Sequence, residues 1–293
     1  MSTPSSAVKP VLGFRKPPEP HWVGDGFLVY NLISYNRMGE ETSPFLLLDY
    51  GAPREVSPSE IPAGVGEHPH RGFETVTIAY AGEIRHRDSS GGGGIIGPGD
   101  VQWMTAGGGL VHEEKYSQEF SRRGGTAEMV QLWVNLPAKH KMTQPRYQDL
   151  RDSKIPQVEL PGGGRARVIA GELAGARGPA LTHTPVGLWD LRLKDGQGAE
   201  FDFPEDHSAS LLVLNGGIAV NGGETAGRNE LAVFHQTGRR ISLTAKADST
   251  VLLMSGEPIR EPIAGYGPFV MNTKEEINDA MRDYASGKMG HLD

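Results

Sequence analysis

The chain has 293 residues, a net charge of −7, 40 glycines, 21 prolines and no cysteine. That length carries two domains of ordinary size, and without thiols there are no disulfides and no thiolate metal sites, so a bound metal has only N and O donors. Basic residues fall in twos and threes (Arg85/Arg87, Arg122/Arg123, Arg239/Arg240), which argues against the long basic stripe of a direct nucleic-acid binder.

Residues 1–20 are Ser/Pro-rich and read as loose. They hold no apolar stretch of signal-peptide length, and no segment has the apolar length of a membrane span. The expectation is a soluble, cytoplasmic monomer with no membrane partner. The runs FLVYNLI and PFLLLDY, between Phe27 and Tyr50, read as strands, and FETVTIAY (Phe73–Tyr80) carries the β-branched and aromatic signature of another. Gly91–Gly99 reads as a turn, and Val101–Thr105 and Met129–Leu136 as further strands, with no helix among them. Thr143–Gly164, polar and Pro-rich, reads as a linker. A second set of strands follows at Ala166–Ala170, Leu188–Leu193, Ser210–Leu214, Leu231–Phe234 and Thr250–Ser255, broken by Gly216-Gly217 and Gly222-Gly223. Near the end, Thr273 to Glu276 forms a capping box. Ile277, Ala280, Met281 and Tyr284 follow at helical spacing and Gly287 is a fitting stop, which predicts a helix over 274–286 packed on a barrel. The fold expected is all-β, with two barrels in tandem over residues 1–145 and 146–293.

Two short motifs carry the chemistry: His68-Pro69-His70 and His112-Glu113-Glu114. On a strand, residues i and i+2 share a face, so His68 and His70 aim together, as do His112 and Glu114. Three imidazoles and a carboxylate on one spot make a first-row transition-metal site. Pro69 points away and fits an edge or a strand start. The glycines Gly107–Gly109 allow the bend that turns His112 inward. Carrying the parity of His70 onward places Gly72, Glu74, Val76 and Ile78 on the site's face. His183, His207 and His235 stand alone and read as structural or surface residues, so the barrel over 146–293 is expected to hold no metal. Gly92-x-Gly94-x-x-Gly97 matches the dinucleotide fingerprint in letters only, because a strand follows it where a helix is needed. It reads as a hairpin loop. No G-x-S-x-G elbow is present. Trp103 and Met104 read as core.

The spacings His68-x-His70-x3-Glu74 and Gly109-x-x-His112 resemble the cupin barrel. The stretches HPHRGFETV, GDVQWMTAGGGLVHEE, QLWVNLP and GEPIREPI…GPFVMNT are more specifically similar to the pirin family, whose members are bicupins. That resemblance implies one divalent transition metal in the N-terminal barrel, iron (Fe2+) by preference, with Mn, Co, Ni, Cu and Zn left open. It implies His68, His70, His112 and Glu114 as ligands. The general cupin pattern takes a ligand at the Glu74 position. The pirin pattern takes the later glutamate, which moves Glu74 back to orient a ligand histidine. Four ligands on a six-coordinate ion leave two positions open for chemistry. By the same resemblance the activity is flavonol (quercetin) 2,3-dioxygenase-type, with Glu114 as general base and with a flavonol-like molecule and dioxygen as partners. The alternative is a non-enzymatic redox- or metal-sensing regulator that binds a transcription factor or metabolic enzyme.

Overall fold

The computed structural model describes residues 8–292. Two compact units emerge. The N-terminal unit comprises Pro18–Arg37, Phe45–Asp152 and the chain from Ile259 onward; the C-terminal unit comprises the described residues up to Pro17, Met38–Pro44 and Ser153–Pro258. Both are built to one plan, two cupin-type barrels in tandem.

The N-terminal unit has a large antiparallel sheet in the order Arg146–Leu150, Val101–Thr105, Phe73–Ala81, Gly125–Asn135, Phe45–Val56, Phe27–Ser34 and His21–Val23. Its small sheet runs Gly64–His70, Leu110–Tyr116, Ile84–Asp88 and Gly93–Ile96. The C-terminal unit repeats this with a large sheet of Val11–Arg15, Leu231–Phe234, Ser208–Asn215, Ser249–Gly256, Val186–Leu193, Arg165–Ala170 and Gln157–Glu159. Its small sheet is Gly198–Asp202, Arg240–Ala245, Gly217–Val220 and Thr225–Gly227.

The one strand that breaks the repeat is an edge strand. Arg146–Leu150 closes the first large sheet beside Val101–Thr105, and Val11–Arg15 closes the second beside Leu231–Phe234. Both come from segments that the sequence presents as a linker and a loose tail. The RYQDL strand is polar, as edges that must not recruit another chain tend to be, so its composition hides it. Residues 1–7 of the expected loose tail lie outside the described residues. A single cut at 145/146 does not describe these units either, because each contains a piece from the other side of it.

The predicted helix forms over Lys274–Ala285, with the full capping box between Thr273 and Glu276 and with Gly287 at φ 76° just past its end. It belongs to the N-terminal unit, not to the unit that holds Ser153–Pro258. Ile277 and Ala280 are buried with Val111, Phe269, Met271 and Met289, while Met281 and Tyr284 lie exposed. Its apolar stripe is therefore half as wide as the sequence suggests. Two helices were not legible: Tyr35–Thr42, kinked at Met38, and Gln118–Arg123. The second has a visible cap, Ser117 accepting from Phe120 N and Gly124 ending it, but six residues are too few to show a helical period. The Gly91–Gly99 stretch is more than a turn, since Gly93–Ile96 pairs with Ile84–Asp88.

Candidate metal centre

The two motif strands are neighbours. Gly64–His70 and Leu110–Tyr116 pair antiparallel with His68 opposite His112, and the ladder slips between His112 and Glu114. On its other side Leu110–Tyr116 pairs with Ile84–Asp88, which sets His112 opposite Asp88 and Glu114 opposite His86. Alternation then brings three rings together. Their centroids are 4.3 Å apart for His68 and His112, and 4.8 Å for both His68–His70 and His70–His112. One ligand atom from each of the three lies within 4.8 Å of the others.

Each ring has one nitrogen spoken for. His68 Nδ1 lies 2.7 Å from Gly66 O and His70 Nδ1 3.2 Å from Pro268 O. A carbonyl accepts only, so both rings carry hydrogen on Nδ1 and expose the Nε2 lone pair. His112 reaches the same state through a longer chain. His86 Nε2 donates to Asp88 Oδ2 at 3.1 Å. That leaves His86 Nδ1 an acceptor, 3.1 Å from Gln102 Nε2 and 3.3 Å from His112 Nδ1. When His112 Nδ1 donates there it carries the ring hydrogen, and His112 Nε2 is a buried nitrogen with no hydrogen-bond partner. An orphaned buried lone pair is costly, and a metal ion is the partner that suits it.

Electrostatics agree. Burial pushes His70 and His112 well below the usual imidazole value, and the neighbouring histidines push the same way. Neutral rings are the form that ligates. Burial would raise Asp88, but hydrogen bonds from His86, Ser90 and Gly92 outweigh it and hold the carboxyl low. Gly92 is glycine for this reason: a Cβ there would stand 2.4 Å from Asp88 Oδ2.

Glu114 sits beside this trio. Its carboxylate groups with His86 and His112, not with His68 and His70. Oε1 accepts from Thr77 Oγ1 at 3.0 Å and from Gln102 Nε2 at 2.9 Å. Thr77 also lies 2.7 Å from Gln131 Oε1. Its single hydroxyl hydrogen cannot serve both. Placing that hydrogen on Glu114 requires the Gln131 amide to be turned over, so that its nitrogen donates to Thr77.

Glu74 does not orient a ligand histidine. Oε1 accepts from Thr105 Oγ1 at 2.7 Å, and burial pushes the carboxyl up to about 7. The reason is a corner. Gly72, at φ 91°, ends the first strand, so parity resets and Thr77, on the opposite face from Glu74, reaches the site. Lys141 fixes that corner by donating to Gly72 O, Val270 O and Asn135 Oδ1. Arg71 ties it to the glycine bend through Gly108 O at 2.8 Å and to the helix through Asp283 at 2.9 Å.

His68, His70 and Glu114 border a cavity of about 230 Å³ whose other walls include Val23, Phe27, Val29, Met129 and Trp133. That is somewhat below the usual range of ligand pockets, about 300–1,000 Å³. Its polar lining is Asp49, Thr77, Gln131 and Glu114. Trp103 and Met104 are fully buried core. In the C-terminal unit, His207 and His235 give their backbone carbonyls to the buried Lys9 ammonium.

Comparison with known proteins agrees with this geometry. Residues 26–134 match the Pirin family and residues 188–290 match the Pirin C-terminal cupin domain. The crystal structure of a quercetin 2,3-dioxygenase from Acinetobacter baumannii is 52% identical, covers 98% of this chain and 100% of its own, and superposes with a TM-score of 0.94. A Pseudomonas aeruginosa protein provisionally named a quercetin 2,3-dioxygenase is 52% identical over 96% of this chain and 98% of its own length. The bacterial pirin YhhW from Escherichia coli, crystallised in complex with nickel(II), shares the fold at 22% identity and a TM-score of 0.66, covering 84% of this chain and 99% of its own.

Proposed function

We propose, on the footing that this chain belongs to the pirin family of cupins, that its N-terminal barrel holds one divalent transition metal and performs flavonol (quercetin) 2,3-dioxygenase-type chemistry. His68, His70, His112 and Glu114 would hold the ion. The observation that carries this is the partnerless Nε2 of His112, buried against His68 and His70, which themselves line a mostly apolar cavity. An N/O donor set of this kind suits Fe2+ first, and also Mn, Co, Ni, Cu or Zn. When bound, any of these ions would supply Lewis-acid stabilisation of an enolate oxygen, and the redox-active ones, which excludes Zn, would also supply one-electron chemistry with dioxygen. An open cavity beside the histidines supports this reading over that of a sensor, which needs no room for substrate.

The chain's own residues do the rest. Thr77 and Gln102 both bond to Oε1 of Glu114, which fixes the carboxylate and leaves Oε2 as the one oxygen that would serve both as ligand atom and as acceptor of the substrate's hydroxyl proton. The Asp88–His86–His112 chain locks the His112 tautomer. Val23, Phe27, Val29 and Met129 exclude water from the reacting face.

Iron-loaded protein should bleach the long-wavelength absorbance of quercetin while consuming dioxygen. Glu114→Gln should lower turnover by about 10²–10⁴-fold and change quercetin binding far less. Metal-replete wild type that is inert towards a panel of flavonols would contradict the proposal.

A further inference from the structure

We infer that the cavity contains a second polar subsite, formed by Asp49 and Gln131, which receives a hydroxyl group of the substrate at the end remote from the histidines. This rests on the dioxygenase reading and narrows its substrate class. The preferred ligand is a flat aromatic enol with at least one further hydroxyl at its far end.

The first argument is register. Asn31 pairs with Asp49, Asp49 with Gln131, Gln131 with Thr77, and Thr77 with Gln102. These five polar residues form one transverse row across five neighbouring strands. Thr77 and Gln102 end it on Glu114. Asp49 stands two strands from Thr77, about 10 Å away at ordinary strand spacing. Asp49, Gln131, Thr77 and Glu114 line the same cavity as His68 and His70. A substrate whose enol lies by Glu114 therefore extends along the row towards Asp49.

The second argument is chemistry. Asp49 is 8% exposed, and Asn31 Nδ2 donates to its Oδ1 at 2.8 Å. It makes no ion pair among the described residues, and the cavity it lines is walled mainly by apolar side chains, Val23, Phe27, Val29 and Met129 among them. Burying a carboxyl with so little compensation is unfavourable, and burial raises its pKa despite the Asn31 bond and the nearby His21. A hydroxyl donated by a ligand would supply the missing partner.

The third argument is an internal control. In the C-terminal barrel the corresponding strands carry Val168, Trp189, Leu253, Leu211 and Ala232 in register. All five belong to one buried apolar cluster. This architecture closes without a polar row, so folding does not require the one in the N-terminal barrel.

The test compares quercetin with 3-hydroxyflavone, which has the enol but no remote hydroxyl. Anaerobic binding to metal-loaded protein is followed by quenching of tryptophan fluorescence, since Trp133 lines the cavity. Wild type should bind quercetin about tenfold to a hundredfold more tightly. Asp49→Leu should abolish that preference with metal content unchanged, and Asp49→Asn should retain part of it. Gln131→Leu gives a second measure if Asp49→Leu fails to fold, and should weaken the preference in the same direction. Equal affinity of wild type for the two flavonols overturns the inference, as does an undiminished preference in the folded variants. Wild type that shows the preference but turns over neither compound defeats the dioxygenase reading and leaves the subsite standing. Wild type that binds neither defeats both.

Discussion

Strand for strand, the small sheets of the two barrels superimpose in topology and diverge in content. His112 lies between His68 and Asp88 in the first, and Leu243 lies between Ala199 and Val220 in the second. The positions of His70 and Leu110 are held by Phe201 and Ile241, and those of Glu114 and His86 by Ala245 and Ile218. Every residue named in the second barrel belongs to a single buried apolar cluster that also takes in Trp189, Leu211 and Leu253. The scaffold thus folds around an ordinary hydrophobic core. The first barrel replaces that core with imidazoles, carboxylates and a cavity, and offsets the desolvation cost through a connected hydrogen-bond network. The apolar twin shows that this scaffold closes on a hydrophobic core alone, so the polar interior of the first barrel is not a requirement of the fold.

The comparison can be broken at three points, in decreasing order of effect. Leu253→Ala should destabilise the C-terminal barrel by about 2–5 kcal/mol in denaturant titration while leaving metal binding in place. His86→Ala should weaken metal affinity by about 10- to 100-fold, read by competition with a chelator of known affinity, because His112 loses the acceptor that fixes its tautomer. Gln131→Leu should change stability by less than about 1 kcal/mol, since Gln131 is only half-buried and its partner Thr77 keeps a bond to Glu114. If Gln131→Leu cost as much as Leu253→Ala, the polar row would be structural and the contrast between the barrels would collapse.

How much of this could be read from the sequence follows from the range of each signal. His68, His70, His112 and Glu114 were visible because the period of a strand is written locally, in residues two apart. The three histidines do converge. The row from Asn31 to Gln102 was invisible because it exists only through the register of five strands, which no short window encodes. His86 and Asp88 also sit two apart, and that spacing in the run IRHRD is the sequence signal that points to them. Parity does not carry across the corner at Gly72, which is why the alternation that begins at His70 misplaces Glu74. The helix over Lys274–Ala285 was legible from its capping box, but its attachment to the N-terminal unit depends on contacts with Val111 and Phe269 far away in the chain. The edge strand Arg146–Leu150 lacked apolar content and resembled a linker.

The central claim, that one barrel holds a metal and its twin does not, is tested most directly by elemental analysis of the purified protein. About one transition-metal ion per chain is predicted, lost in His112→Ala and fully retained in the double variant His207→Ala/His235→Ala. Two ions per chain, or full retention of metal in His112→Ala, would contradict it.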